Sequence, residues 1–217
     1  MDLVFRSLYV CMEHAPNGSI RQLYQRSCLS YSRVSKYTKE ILLGLKYLHD
    51  HNVVHRDIKC ANILVDAYGS AKLADFGLAK IITKMNEIQS LQGTAFWMAP
   101  EVFSAKMKNQ GYGPPSRYME PWLHCVGDVN KFQAFFKIAM GELPHVPHFL
   151  CKEARDFIHQ CLQVSPNNRH TAAQLLCHPF VTSGPIKLPH VFDGLCMMKG
   201  KELYARGYFD GTISHLD

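Results

Sequence analysis

Between residues 53 and 80 the chain reads VVHRDIKCANILVDAYGSAKLADFGLAK, and its chemically capable side chains fall into two clusters. The first holds His55, Arg56, Asp57, Lys59 and Asn62, and the second holds Asp75, Phe76 and Gly77. Two carboxylates, an amide, an ammonium and a guanidinium on two closely spaced loops are the groups needed to hold magnesium, a triphosphate and an attacking hydroxyl together.

The elements around these clusters must bring them into one place. Ile63-Leu64-Val65 and Lys72-Leu73-Ala74 flank Asp66-Ala67-Tyr68-Gly69, the pattern of a small β-hairpin. Such a hairpin puts Asn62 at one end and Asp75 at the other, so two residues far apart in sequence become neighbours. Upstream, Val34, Tyr37, Ile41, Leu42, Leu45 and Leu48 recur at three-and-four spacing behind the N-cap candidates Ser30 and Ser32. This predicts a long helix buried on one face. Its polar end, His49 to Asn52, delivers the chain to the first cluster.

Before that helix, a short one is expected from Ser19 to Gln25. The apolar run Leu8 to Glu13, closed by Pro16-Asn17-Gly18, reads as a buried strand ending in a turn. Residues 78–98 lack a clean period and carry Thr83, Ser90 and Thr94, the mark of a long functional loop. Farther on, Ala154, Phe157, Ile158, Cys161 and Leu162 form a helical stripe. Ser165 to Asn168 is a turn, and Thr171 caps a last helix through Leu176. Periodicity fades after Ser183, and residues 182–217 are expected to be a poorly ordered tail.

Composition bounds the class. At 217 residues, 47% hydrophobic and 19% charged, the chain can bury one sizeable core. A net charge of +6 suits acidic ligands such as phosphate, and the spread of Lys and Arg argues against nucleic acid. The eight cysteines show no C-x-x-C pair and read as reduced thiols of the cytosol or nucleus. The twelve histidines form no H-E-x-x-H. No apolar run approaches the roughly 20 residues of a membrane span. The glycines between Gly194 and Lys201 have the wrong spacing for a phosphate loop, and Glu202 follows where Ser or Thr is needed.

Taken in order, HRDIKCANILVD, KLADFGLAK, GTAFWMAPEV from Gly93 to Val102 and TAAQLLCHPFV from Thr171 to Val181 resemble the eukaryotic protein kinases. The likeness is greatest to the C-terminal lobe of plant MEKK-type MAP kinase kinase kinases. It implies an α+β, protein-kinase-like fold over residues 1–181, with a mainly helical C-terminal lobe, a small hairpin and little of the N-terminal lobe. The implied activity is transfer of the ATP γ-phosphate, with Mg²⁺, to a serine or threonine of a protein substrate, by resemblance a MAP kinase kinase.

Carried over by position, Asp57 orients the substrate hydroxyl and accepts its proton, Lys59 sits near the transferring phosphate, and Asn62 and Asp75 hold the metal. Glu13 and Ala15 fall in the hinge that meets adenine, and Met12 falls at the gatekeeper position, although it and Cys60 also suit simple packing. His55, Phe76 and Gly77 shape the loops. Arg56 pairs with a phosphate on the long loop, for which Ser90 and Thr94 are acceptors. For Thr94 the resemblance favours a different role, as the substrate-loop hydroxyl contacting Asp57 and Lys59. Glu101 and Arg169 form a buried ion pair.

Two departures from the family bear on activity. Met1 stands just before the hinge strand, and the Gly-rich loop, its lysine and the partner glutamate are missing from the sequence. Holding reactants in place supplies effective molarities up to about 10⁵ to 10⁸ M, against roughly 10² to 10⁴ in rate for a positioned base, so negligible activity is expected of the chain as written. In addition, residues 114–130 read PPSRYMEPWLHCVGDVN where the family has an apolar helix. A nucleotide string encoding this segment can be written that yields LPADIWSLGCTVLEML one base out of frame, which makes a frame-shift the working hypothesis. Loss of that helix predicts marginal folding. A catalytically dead, partner-binding module is the second reading. A small-molecule phosphotransferase is the third, opposed by Gly93-Thr94 and Ala99-Pro100-Glu101.

Overall fold

Ser19 starts the first helix, α1 (Ile20–Arg26), by a reciprocal cap: its hydroxyl accepts from the Gln22 N–H while the Gln22 side chain accepts from the Ser19 N–H. The computed structural model describes residues 11–82 and 146–183. Ahead of the cap, the Gly18 N–H closes a turn on the Ala15 carbonyl at 3.1 Å. Gly18 has φ +71°, and a Cβ there would crowd the Gln22 side chain, so the junction favours glycine.

The long helix α2 (Tyr31–Asp50) begins at Ser30, whose hydroxyl accepts from the Arg33 N–H. Ile41, Leu42 and Leu45 are fully buried along one face, as their spacing predicts. Two hydroxyls share that face without leaving an unpaired polar group: Ser35 Oγ donates to the Phe180 carbonyl at 2.7 Å and Thr38 Oγ1 to the Val34 carbonyl at 2.8 Å. Asn52, at φ 57°, turns the chain out of the helix into β1 (Val53–Val54).

The predicted hairpin is present as β2 (Ile63–Val65) and β3 (Ala71–Leu73), in register Ile63↔Leu73 and Val65↔Ala71. The returning strand starts one residue earlier than the sequence pattern suggests. Its turn is built on Asp66, whose Oδ1 accepts from the N–H groups of Tyr68 and Ser70, both at 2.9 Å. A second antiparallel pair joins β1 to β4 (Lys80–Ile81), Val53 opposite Ile81. Helix α2 holds the hairpin from outside: Glu40 accepts from the Ala71 N–H at 2.7 Å and Lys36 donates to the Gly69 carbonyl at 2.6 Å.

Three helices complete the described chain. Helix α3 (Lys152–Cys161) is capped by Cys151, α4 (Ala172–Leu175) by Thr171 with Gln174, and α5 (Pro179–Thr182) by His178 with proline in its first turn. Phe157, Cys161, Leu175, Phe180 and Val181 join Ile41, Leu42 and Leu45 in one core. The architecture is α+β, helices packed beside small antiparallel sheets.

Several expectations need correction. Residues Cys11 to Glu13 are exposed and without regular structure, and Met12 is 84% exposed instead of packed, because no described strand covers this segment. Cys28 is disulfide-bonded while the other five described cysteines are free. Spacing along the chain could not show that, since a disulfide needs only proximity in space. Helix α5 went unpredicted because four residues are too few for a period. It runs through Thr182. Ser90, Thr94, Glu101, residues 114–130 and nearly all of the tail lie outside the described residues.

Candidate active site

The loop carrying His55 to Asn62 and the loop carrying Ala74 to Ala79 are each anchored at both ends. At one end the β1–β4 ladder holds them, extended by the Ile82 N–H donating to the Asn52 carbonyl at 2.8 Å. At the other, the hairpin continues for one more bond, from the Ala74 N–H to the Asn62 carbonyl at 2.9 Å. Asp75 therefore follows directly from a residue bonded to Asn62.

Side chains tie the loops in the middle. His55, 1% exposed, places Nε2 3.0 Å from the Ala74 carbonyl, while its Nδ1 accepts from the Asp57 N–H at 3.4 Å. With Nδ1 accepting, the ring is the neutral tautomer that donates from Nε2. Burial lowers the His55 pKa, in keeping with that state. Arg56 Nε donates to the Leu78 carbonyl at 2.5 Å. Asn52, Arg56 and Asp75 all adopt left-handed backbone, at φ 57°, 68° and 63°. For non-glycine residues such conformations cost about 1–3 kcal/mol each and cluster where surrounding structure imposes them.

Within the first loop, Asp57 is the hub. Its Oδ2 accepts from Lys59 Nζ at 2.6 Å and from Asn62 Nδ2 at 2.9 Å, and the same Asn62 nitrogen donates to the Asp57 carbonyl at 2.9 Å. Asp57 and Asn62 are 6% and 7% exposed. The amide nitrogen is committed to Asp57, which fixes which way the Asn62 amide oxygen faces. Asp75 is exposed, and its Oδ1 accepts from the Gly77 N–H at 3.4 Å. One oriented amide oxygen and one accessible carboxylate, an adjoining residue apart, match the oxygen donors that magnesium takes when phosphates supply further ligands. Among the described residues no group of three or more His, Cys, Asp or Glu converges on a metal position.

The other candidate residues fall as follows. Phe76 is 47% exposed and packs its ring on His55, centroids 4.8 Å apart. Gly77 supplies the N–H just described. Glu13 pairs with Lys72, and the Ala15 carbonyl closes the turn before α1. Arg169, 4% exposed, donates from Nε and Nη2 to the Gln163 carbonyl at 3.1 and 2.9 Å. Cys60 is half-buried against the core. Sequence reasoning missed Asn17, Asp66 and Lys72, which join the segment before α1 to the hairpin. The only local signal was turn chemistry at Asn17 and Asp66, because the partners lie 49 and 59 positions apart.

Loops joined in this way, a carboxylate held by lysine and asparagine on one and an exposed carboxylate on the other, have the arrangement of a phosphotransferase site. A sequence model of the protein kinase domain matches residues 4–118, and the chain belongs to that family. Mitogen-activated protein kinase kinase kinase 1 of Arabidopsis thaliana is 52% identical over 200 residues, covering 87% of this chain and 32% of the relative. Mitogen-activated protein kinase kinase kinase 3 of the same plant is 51% identical over 186 residues, 80% of this chain and 32% of that protein. The YODA kinase kinase kinase, also from Arabidopsis thaliana, is 42% identical over 229 aligned positions, 100% of this chain and 25% of its own length. The chain thus spans about a third or less of these relatives.

Proposed function

We propose that the chain carries the catalytic loops of a serine/threonine protein kinase of the MAP kinase kinase kinase type, acting on a MAP kinase kinase. The observation that carries this reading is the Asp57–Lys59–Asn62 cluster, with Asp75 brought beside it by the hairpin. Asp57 would accept hydrogen bonding from the substrate hydroxyl and take its proton, and Lys59 would hold the Asp57 carboxylate in place beside the phosphate. Asn62 and Asp75 would hold Mg²⁺, which when bound with ATP neutralises charge on the phosphates. Glu13 and Ala15 would present hinge backbone to adenine. Arg56, on the rim of the same loops, suits pairing with a phosphate at Ser90 or Thr94.

Titrating the 217-residue chain with a fluorescent ADP analogue, with and without magnesium, tests the reading. Magnesium should tighten binding, and Asp75→Asn should remove most of that gain. Asp57→Ala should leave nucleotide binding in place while abolishing any phosphate transfer to a MAP kinase kinase. Binding that is indifferent to magnesium would defeat the proposal.

A further inference from the structure

The segment that would meet adenine and the hairpin that would place the metal ligands are separate pieces of chain, yet they are fastened together. The Val65 N–H donates to the Gly18 carbonyl at 2.8 Å, and Ser19 bridges Leu64 in antiparallel fashion. Asn17 Nδ2 donates to the Asp66 carbonyl at 2.5 Å. These bonds hold the end of the segment nearest α1. Among the described residues, its far end, where Glu13 stands, is tied to the hairpin by the Lys72 ammonium. Lys72 lies on β3, two residues before Ala74, and its Nζ also stands 3.4 Å from Asp66 Oδ2 in the hairpin turn. Asp66 is in turn held by the N–H groups of Tyr68 and Ser70. Both acids hold the Lys72 pKa up, Glu13 the more.

On the kinase reading above, we propose that Lys72 is a positioning residue for nucleotide: it clamps Glu13, and with it the hinge backbone, to the strand that leads into Asp75. Glu13 lies in an irregular, exposed segment, so without the clamp its backbone samples more conformations, and ordering it on binding costs affinity. The ammonium stands between a carboxylate anchored in the hairpin turn and one on the hinge. Pulling on Glu13 therefore engages the hairpin and not merely a loose side chain. Because the Lys72 and Glu13 side chains are 44% and 66% exposed, the contribution is modest and screened by salt.

The test is nucleotide affinity of the 217-residue chain, read with a fluorescent ADP analogue at low salt, beside a thermal melt. Lys72→Met and Glu13→Gln should each weaken binding about two- to five-fold, and the double variant should be no weaker than either single one. Lys72→Arg should restore affinity. The loss should be the same with and without magnesium, since it arises on the adenine side, and should shrink at about 1 M salt. Melting temperatures that stay together while affinities part distinguish positioning from a structural role. Wild-type affinity in Lys72→Met, or strictly additive losses in the double variant, overturns the clamp while leaving the kinase reading intact. No nucleotide binding by the parent chain removes both.

Discussion

His55 shows how a single residue's burial sets chemistry in this site. Both ring nitrogens are engaged by the backbone, Nδ1 with Asp57 and Nε2 with Ala74, and the ring is sealed from water. A proton added to Nδ1 would oppose the Asp57 N–H, so the folded state keeps the neutral ring and a lowered pKa. The unfolded chain, with an ordinary histidine near 6.5, then binds more protons below that pH than the folded one. Stability is fully present above about pH 6.5 and falls as pH drops toward the folded pKa, by at most about 1.4 kcal/mol per pH unit from this group. His49, also lowered by burial, acts in the same direction. Asp66 and Asp156, lowered chiefly by the Ser70 N–H and by His178, act only in the more acidic carboxylate range. Urea unfolding at pH 7.5 and 5.5 should show the loss, and His55→Asn, though less stable, should show a smaller one. An equal slope in the variant would refute the assignment.

At the scale of elements, the contact of α2 with the hairpin decides where Asp75 stands. Gly44 lies in the middle of α2, where glycine costs roughly 0.5–1 kcal/mol relative to alanine. It is tolerated because a Cβ would meet Leu73 Cδ1 at 3.0 Å and Cγ at 3.2 Å. Leu73 pairs with Ile63 and stands two residues before Asp75. Gly44→Ala sets a propensity gain against a small push on a side-chain end and should be close to neutral. Gly44→Val cannot avoid displacing Leu73 and should cost about 1–3 kcal/mol in urea unfolding. It should also reduce the magnesium-dependent part of nucleotide affinity. A fully stable Gly44→Val chain would show that helix and hairpin are not in close contact there.

Across the whole molecule, a residue near the end of the described chain supports the first loops. Phe180 packs against Tyr31 and Phe157, with ring centroids 5.4 and 5.0 Å away, and its carbonyl accepts from Ser35 on α2. Helix α5 thus braces α2, which holds the hairpin, which holds the site. Phe180→Ala should cost about 3–5 kcal/mol, a large share of a typical stability of about 5–15 kcal/mol. Circular dichroism of the variant should show it largely unfolded at physiological temperature. A loss under 1 kcal/mol would mean that the C-terminal helices are not part of the same core.

Local physics made much of this legible in the amino-acid order. Three-and-four spacing revealed α2 and α3, hydroxyl caps marked the starts of α2 and α4, and the D-A-Y-G turn announced the hairpin. The ordered H-R-D, K-x-x-N and D-F-G residues carried the family resemblance, because catalytic loops require particular groups at short, fixed separations. What depended on distant pairing stayed hidden until the chain was folded. The exposure of Met12, the disulfide at Cys28, the Ser35–Phe180 bond and the Lys72–Glu13 pair belong to that group. Each joins or exposes residues through space, and spacing along the chain carries no record of such pairs. Sequence alone determined the family and which groups are candidates for its chemistry. Tertiary structure decided what holds them: a buried neutral histidine between two loops, and a lysine pairing the segment before α1 with the hairpin.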